Sequence, residues 1–177
     1  MKKYSLIPDR MFDSIYDITP DLLKDEKVET VIFDIDNTIA PYSIDEPTEQ
    51  MSRYLFSLRD SGISVALASN NHSGRIDLFN RKLGFFAVKN AKKPSRRAVR
   101  MCIDRFGGSP DTTIVIGDQL FTDCLCAHRA GVRAFIVEPI ARKEENMFMR
   151  FKRWLEKPHK AVFRRRNKNG GIVRAGR

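Results

Sequence analysis

The sequence of 177 residues is poor in the features that would crosslink a protein or hold it in a membrane. It has three cysteines, an odd number whose spacing matches neither a C-x-x-C pair nor a zinc-binding set, so we expect reduced thiols packed in helices: Cys102, Cys124 and Cys126. No apolar stretch reaches the ~18 residues of a membrane-spanning helix. The basic N-terminus is not followed by an apolar segment of signal-peptide length. We therefore expect a cytoplasmic protein.

Histidine is also scarce, and the three histidines are scattered along the chain. We find no Ser–His–Asp or Cys–His arrangement, which argues against a serine or cysteine hydrolase. His72 and His128 are expected to be helix-surface or packing residues. Any catalytic chemistry must then come from other groups, above all from carboxylates.

The net charge of +10 is confined to one end of the chain. Residues 142–177 contain 13 Lys and Arg against 3 Asp and Glu, while the rest of the chain contains 19 of each. We therefore predict three parts, which are an N-terminal segment packed on the core (1–27), an α/β domain (28–141), and a basic amphipathic helix with a disordered tail (142–177).

The body alternates strand and helix patterns. The predicted strands are Val28–Asp36, Ile63–Leu67, Phe85–Val88, Thr112–Ile116 and Val132–Val137. The predicted helices are Glu46–Asp60, Gly74–Leu83, Pro94–Phe106 and Thr122–Ala130. Such alternation indicates a parallel sheet with helices on both faces, a three-layer Rossmann-like α/β fold.

Chemically active side chains follow four of the predicted strands. They are Asp34 and Asp36, then Ser69, then Lys92 and Lys93, and finally Asp118 and Asp123. Open parallel sheets bind ligands beyond the carboxyl ends of their strands, so these side chains should meet at one edge. Asp34 and Asp36 are two positions apart and can face the same side, where a cation or shared proton must offset their repulsion.

The types of these residues favour phosphoryl transfer. Asp34, Asp36 and Asp118 offer the hard oxygen ligands that Mg²⁺ prefers, together with a substrate phosphate. Lys93 supplies a compact positive charge that offsets the carboxylates and a bound phosphoryl group. The set fits an aspartate nucleophile whose transferring group is stabilised by cations.

Other polar residues of the same loops are candidates for holding the phosphate. Ser69 stands where a helix begins, so its hydroxyl and the following amides can bind an anion, and Thr38 can do so from the first loop. Asn70 and Asn71 either line the site or cap the following helix.

The motifs resemble those of the haloacid dehalogenase (HAD) superfamily of phosphohydrolases. The run D-I-D-N-T at 34–38 resembles its first motif, Ser69 its second, Lys93 before Pro94 its third, and the run G-D-Q-L-F-T-D at 117–123 its fourth. The order of the motifs is that of the family. Lys92 is the rival for the third motif.

This resemblance implies roles for four aspartates. Asp34 would attack phosphorus and form an aspartyl-phosphate, and Asp36 would protonate the leaving group and then activate water. Magnesium would bind Asp34, the backbone carbonyl of Asp36, and Asp118. Asp123 would support the metal from the same loop as Asp118.

The spacing of the motifs leaves no room for a cap domain. Asp34 and Ser69 are 35 positions apart, and Ser69 and Lys93 are 24 apart, gaps already filled by predicted helices and strands. The chain therefore resembles the capless subfamily IIIA. An open site suits a phosphate on a lipid, a macromolecule or a bulky metabolite.

Further runs resemble the YqeG-type group of that subfamily, namely P-D-R at 8–10, S-I-Y-D-I at 14–18 and V-E-P-I at 137–140. This group is similar to phosphatidylglycerophosphate phosphatase, which implies a role in phosphatidylglycerol biosynthesis. The alternatives are a phosphatase for a soluble metabolite or a nucleic-acid end, and a non-catalytic RNA- or ribosome-binding protein that uses the basic tail.

The basic C-terminal region has the pattern of an amphipathic helix. Its apolar face would carry Met147, Phe148, Phe151, Trp154 and Leu155. Arg150, Lys152, Arg153 and Lys157 occupy much of the remainder. Pro158 is predicted to end the helix. The pattern is typical of a helix lying on a membrane, here at the inner face, although packing against the body or binding to nucleic acid are alternatives.

Overall fold

The computed structural model describes residues 5–71 and 74–166. The strands are β1 (Arg10–Phe12), β2 (Thr30–Phe33), β3 (Ser64–Ala68), β4 (Phe86–Val88), β5 (Thr113–Gly117) and β6 (Arg133–Val137). The helices are α1 (Pro20–Asp25), α2 (Glu49–Asp60), α3 (Arg75–Asn80), α4 (Arg97–Phe106), α5 (Leu125–Ala130) and α6 (Met147–Arg166). All strand pairs are parallel, in the order β1-β6-β5-β2-β3-β4.

The sheet separates two apolar clusters, because successive strand residues face opposite sides. In the central strand β2, Val31 and Phe33 join the cluster covered by α1, α2 and α3. Ile32 faces the other cluster, which contains residues of α4, α5 and α6. The predicted three-layer α/β fold is confirmed. Within the described residues, the helices and strands between the first and third motifs are α2, β3, α3 and β4. All of them belong to the α/β domain, which agrees with the absence of a cap.

The predicted helices are present, but several begin later or end earlier. The helix predicted from Glu46 begins at Glu49, because the Thr48 side chain accepts the N–H of Met51 and caps it there. The helix predicted to Leu83 ends at Asn80, whose side-chain amide bonds both backbone groups of Phe85. The one predicted from Thr122 starts as a π-helical turn at Leu120–Cys124 that continues into α5.

The N-terminal segment contributes a strand that the sequence pattern did not indicate. β1 pairs with β6 at the sheet edge. Asp9, just before it, accepts hydrogen bonds from the backbone N–H of Ala134 (2.8 Å) and from the His128 ring (3.0 Å). A three-residue strand is too short to show a hydrophobic period of two in the sequence. The strand is recognisable only from these tertiary contacts.

Helix α6 corrects two expectations. Pro158 lies inside the helix and does not end it, because a proline removes only one helical N–H donor and the turn beyond it is held by Phe163, which is buried in the core. The apolar face of the helix points to solvent, so the alternative prediction that this face packs against the body is wrong. Met147 is 86% exposed, Phe151 56% and Trp154 60%. The basic run that starts at Arg164 extends into residues 167–177, which lie outside the described residues.

Candidate active site

Residues from four strand ends meet at the carboxyl edge of the sheet, as predicted. Asp34 directly follows β2, and its N–H donates to the carbonyl of Ile116 in β5 (2.8 Å). Asp118 follows β5, while Lys93 comes from the loop after β4. Asp34 and Asp118 follow central strands, so the hydrogen bonds of the sheet define their backbone positions. Lys93 instead follows the edge strand β4, and its backbone is bonded by the Asn70 side chain.

Lys93 lies between two buried carboxylates. Its Nζ is 2.5 Å from Asp34 Oδ1 and 2.7 Å from Asp123 Oδ1. Burial alone would lower the pKa of Lys93, but the charges of Asp123 and Asp34 outweigh it and raise that pKa above its usual range. The amine is therefore a fixed positive charge at the centre of the site. Lys92 is exposed, which favours Lys93 for the third motif.

Three buried carboxylates form a candidate metal site. Oxygens of Asp34, Asp118 and Asp123 all lie within 4.8 Å of one another. Burial raises the pKa of Asp34 well above its usual value, although Lys93 opposes this shift. Burial likewise raises the pKa of Asp118 to about 7 against the charge of Arg153. Crowded, buried oxygen donors of this kind fit a hard divalent cation such as Mg²⁺, whose charge would offset their repulsion.

The fourth motif depends on a glycine. A Cβ built on Gly117 would lie 2.2 Å from Asp123 Cγ, so only glycine leaves room for this carboxylate. Asp123 Oδ2 accepts hydrogen bonds from the Gln119 N–H (3.1 Å) and the Thr122 hydroxyl (3.3 Å). The loop after β5 thereby places the Asp123 carboxylate against Gly117 at the end of β5.

The Asp36 carboxylate turns away from the three-carboxylate cluster. Its Oδ1 accepts a bond from Arg75 Nε (2.8 Å) and its Oδ2 one from the Ser69 hydroxyl (3.3 Å). The side chain of Asp36 is thus held at the rim, beside the cluster and not in it. The contribution expected from its backbone carbonyl to the metal stays a prediction.

Of the candidate phosphate-binding residues, Thr38 and Lys93 contact Asp34. Ser69 instead contacts Asp36, and Asn70 contacts the Lys93 backbone. The Thr38 hydroxyl lies 3.2 Å from Asp34 Oδ2 and 3.5 Å from Asp118 Oδ1. The side chain of Asn70 accepts the Lys93 N–H (2.7 Å) and donates to the Lys93 carbonyl (3.0 Å), so it fixes the lysine backbone. Ser69 Oγ accepts the N–H of Asn71 (3.0 Å).

Two arginines of the site were missed by the sequence reasoning. The first is Arg75, which is 6% exposed and donates to the carbonyls of Pro41 (2.7 Å) and Tyr42 (2.9 Å) besides Asp36. It thereby ties the loop after the first motif to Asp36. Nothing in the local pattern at the start of a short helix distinguishes this arginine from a surface residue.

The second missed arginine is Arg153 of α6, which the helical pattern assigned to a solvated basic face. Its guanidinium bonds the Asp118 carboxylate, and it also donates to the Asp118 carbonyl at 2.5 Å. It further contacts Glu145 (2.7 Å) and Glu156 (3.4 Å). The C-terminal helix therefore reaches the candidate metal site through one residue.

The histidine and cysteine expectations can be examined in part. His128 is buried and binds Asp9 and the carbonyl of Ser5, so it packs the N-terminal segment as expected. The three cysteines are buried and free. His72 lies outside the described residues.

Comparisons with known sequences find similarity to phosphatases. The family described as HAD-hydrolase-like matches residues 90–146. The probable phosphatase YqeG of Bacillus subtilis (strain 168) is 32% identical over 157 residues, covering 89% of this chain and 91% of that protein. Phosphatidylglycerophosphate phosphatase 1 of Arabidopsis thaliana, chloroplastic/mitochondrial, is 28% identical over 80% of this chain but only 46% of its own length. The chain thus spans just under half of the plant protein.

Solved structures share the fold at low sequence identity. The cobalt-bound deoxy-D-mannose-octulosonate 8-phosphate phosphatase of Haemophilus influenzae aligns with a TM-score of 0.52 at 15% identity, covering 78% of this chain and 90% of that one. A hypothetical protein of Xanthomonas campestris aligns with a TM-score of 0.54 at 22% identity, covering 81% and 80%. At these identities the likeness concerns the fold alone.

Proposed function

The chain belongs to the haloacid dehalogenase superfamily of phosphatases, and on that premise we propose that it hydrolyses a phosphomonoester through a phosphoryl group carried on Asp34. The contact between Lys93 Nζ and Asp34 Oδ1 supports this assignment most strongly. This contact orients a buried carboxylate and opposes the rise in its pKa that burial causes, so it favours the ionised form that a nucleophile needs.

The proposed reaction has two displacements. An Asp34 oxygen attacks phosphorus, the bond from phosphorus to the ester oxygen breaks, and Asp36 donates a proton to the leaving alcohol. Asp36 then takes a proton from water, whose oxygen attacks the same phosphorus, releasing phosphate and restoring Asp34. Arg75 and Ser69, which bond the two oxygens of Asp36, hold that carboxyl group in position.

The remaining residues of the site bind and orient. Thr38, Ser69, Asn70 and Lys93 would bind the phosphoryl oxygens, and the ammonium of Lys93, which bonds Asp34, would offset their charge. Asp34, Asp118 and Asp123 would hold Mg²⁺, with the carbonyl of Asp36 as a further ligand. When bound, Mg²⁺ supplies positive charge that offsets the charge of the phosphoryl group.

We propose phosphatidylglycerophosphate as the substrate. The name of the Arabidopsis relative supports this choice, as does the absence of a cap among the described residues, since an uncapped site accepts a bulky lipid head group. The site lies at the open carboxyl edge of the sheet, beside helix α6.

We further propose that α6 lies on the membrane that carries the substrate. Its exposed apolar side chains, such as Phe148 (64%) and Trp154 (60%), are flanked by Arg150 and Lys157, a pattern typical of helices at the surface of anionic membranes. Among the described residues, no helix combines the length and apolar character needed to cross a bilayer. Binding at the interface suffices for a head-group substrate.

Phosphate release from phosphatidylglycerophosphate vesicles in the presence of Mg²⁺ tests this function. We expect release by the native chain, none by Asp34→Asn, and native rates for Asp104→Asn, a matched change at an exposed position of α4. Turnover of p-nitrophenyl phosphate without release from the lipid would remove the lipid assignment. Turnover of neither substrate would remove the phosphatase assignment.

A further inference from the structure

A large basic cavity lies between α6 and the segment that follows β6. Its volume is about 860 Å³, within the usual range for small-molecule sites, ~300–1,000 Å³. Of the described residues, seven Lys and Arg line it against three Glu, and Trp154 is the one aromatic residue among them. Among the described residues, those that line the cavity include none with a role in the proposed reaction, although Arg153 in its wall bonds Asp118. It is therefore a second, separate concave surface with a positive charge.

Two of its three glutamates are already engaged. Arg153 binds Glu145 at 2.7 Å and Glu156 at 3.4 Å. Glu156 is also held by the N–H of Leu120 (2.7 Å), and Glu145 by the side chain of Asn37 (3.1 Å). These acids serve to fix Arg153 and the neighbouring backbone, and they leave little negative charge for the other cations of the wall.

The third glutamate, Glu138, is shared among three cations. Arg142 pairs with it directly, whereas Lys160 Nζ and Arg164 are 3.7 Å and 3.5 Å away. In the part of the chain that the structure describes, Lys143 and Lys157 form no ion pair. Lys160 is mostly buried, and this burial lowers its pKa although Glu138 opposes the shift. The wall thus holds an excess of positive charge that an anion would neutralise.

The position of the cavity indicates what kind of anion it receives. Arg153 in its wall bonds the Asp118 carboxylate of the active site. Trp154, the next residue, also lines the cavity and belongs to the exposed apolar face of α6. The cavity therefore lies between the active site and a surface suited to the apolar part of a lipid.

We propose that this cavity binds the phosphodiester of an anionic glycerophospholipid, with Lys143, Lys157 and Lys160 facing the phosphate oxygens. The charge excess and the adjoining apolar face carry the assignment. The choice of a lipid rests on the proposed function, whereas the anion site rests on the cavity alone. The diester belongs either to the substrate or to a neighbouring lipid.

Fluorescence of Trp154, the only tryptophan of the chain, provides a direct test. The full chain carrying Asp34→Asn is titrated with glycerophosphoglycerol, and separately with vesicles of phosphatidylglycerol in phosphatidylcholine and of phosphatidylcholine alone. We expect saturable binding of the soluble diester and of the anionic vesicles, and none to neutral vesicles. The probes are phosphodiesters and not phosphomonoesters, so this measurement does not depend on the proposed reaction and stays informative if that reaction fails.

Matched variants separate the cavity from a general effect of net charge. Lys143→Gln with Lys157→Gln, two exposed positions whose change spares the core, should weaken both interactions about tenfold or more, as expected when charged hydrogen bonds are lost. Lys24→Gln with Arg53→Gln removes equal charge from helices on the other face of the sheet and should change neither.

Three results would overturn the proposal. If both double variants weakened binding equally, the binding would depend on the overall charge of the protein and not on the cavity. Absence of a saturable response to both diester and anionic vesicles would exclude an anion site. Tighter binding of a short single-stranded RNA than of the vesicles, lost in the cavity variant, would assign the site to nucleic acid.

Discussion

At the scale of single residues, the site is a balance of buried charges. Oxygens of Asp34, Asp118 and Asp123 lie within 4.8 Å of one another, and Lys93 and Arg153 bond these carboxylates. Buried ions of one sign repel strongly unless they are paired with opposite charges. Each cation therefore stabilises the fold in addition to its effect on the chemistry. Removing a charge here should thus affect stability and activity together.

Lys93→Met should destabilise the protein by about 3–5 kcal/mol, because it leaves two buried carboxylates without their partner. Urea unfolding measures the change, and added Mg²⁺ should restore part of it by binding the unpaired acids. Lys92→Met, a change of the exposed neighbour, should alter stability by less than about 0.5 kcal/mol. Similar losses for both lysines would contradict the central position of Lys93.

Gly117→Ala should displace Asp123, since the added Cβ would overlap its carboxyl carbon. We expect Mg²⁺-dependent phosphate release to fall about 10–100-fold, the range found when support for a metal ligand is lost. Gly74→Ala is the matched control, because a Cβ there meets nothing within 4 Å. Native activity in Gly117→Ala would show that the fourth motif tolerates another loop shape.

At the scale of elements, the structure rests on contacts that sequence patterns do not encode. The strand-end aspartates were predictable because parallel topology brings strand ends together. Arg75 and Arg153 were not, because each reaches the site from a helix whose local pattern resembles a solvated surface. The prediction that Pro158 ends the helix failed for a related reason, since buried Phe163 stabilises the helical turn beyond it.

The N-terminal strand depends on a titratable pair. Both ring nitrogens of His128 face acceptors, the carbonyl of Ser5 (2.7 Å) and the carboxylate of Asp9 (3.0 Å). Burial lowers the pKa of His128, but the Asp9 bond and then the Ser5 bond raise it above its usual value. Burial would raise the pKa of Asp9, yet the hydrogen bond from His128 brings it below its usual value.

These shifts define where the pair stabilises the fold. A raised histidine pKa gives stability that is complete below the unfolded value of about 6.5 and is lost as pH rises through the folded value. A lowered aspartate pKa gives stability that is complete above about 3.9 and is lost as pH falls through the folded value. The pair therefore contributes fully between about pH 4 and 6.5.

His128→Gln should accordingly lose most stability in that window, and its deficit should shrink as the pH is raised toward 9. Thermal unfolding of the two proteins across this range measures the difference. His159→Gln, in α6, should follow the native profile. A deficit for His128→Gln that is constant with pH would mean that the imidazole acts only by packing.

At the scale of the whole molecule, a neutral catalytic body carries a strongly basic helix on the rim of its site. The excess charge of +10 lies within residues 142–177, and α6 presents its apolar side chains outward. The fold, the four motifs and the uneven charge could be predicted from the sequence. The orientation of α6 could not, because an amphipathic pattern is the same for a helix whose apolar side faces a core and for one whose apolar side is exposed.

Trapping the phosphoryl group on the protein tests most directly whether Asp34 is the nucleophile. Asp36→Asn should still accept phosphate from p-nitrophenyl phosphate, whose leaving group departs without the proton that Asp36 otherwise donates. It should hydrolyse the intermediate slowly, because the second step needs the Asp36 carboxylate. After acid quenching, mass spectrometry of the peptides should find one phosphoryl group on Asp34, and none in a protein that also carries Asp34→Asn. Phosphate on another residue, or continued hydrolysis by Asp34→Asn without any phosphorylated peptide, would contradict the proposed mechanism.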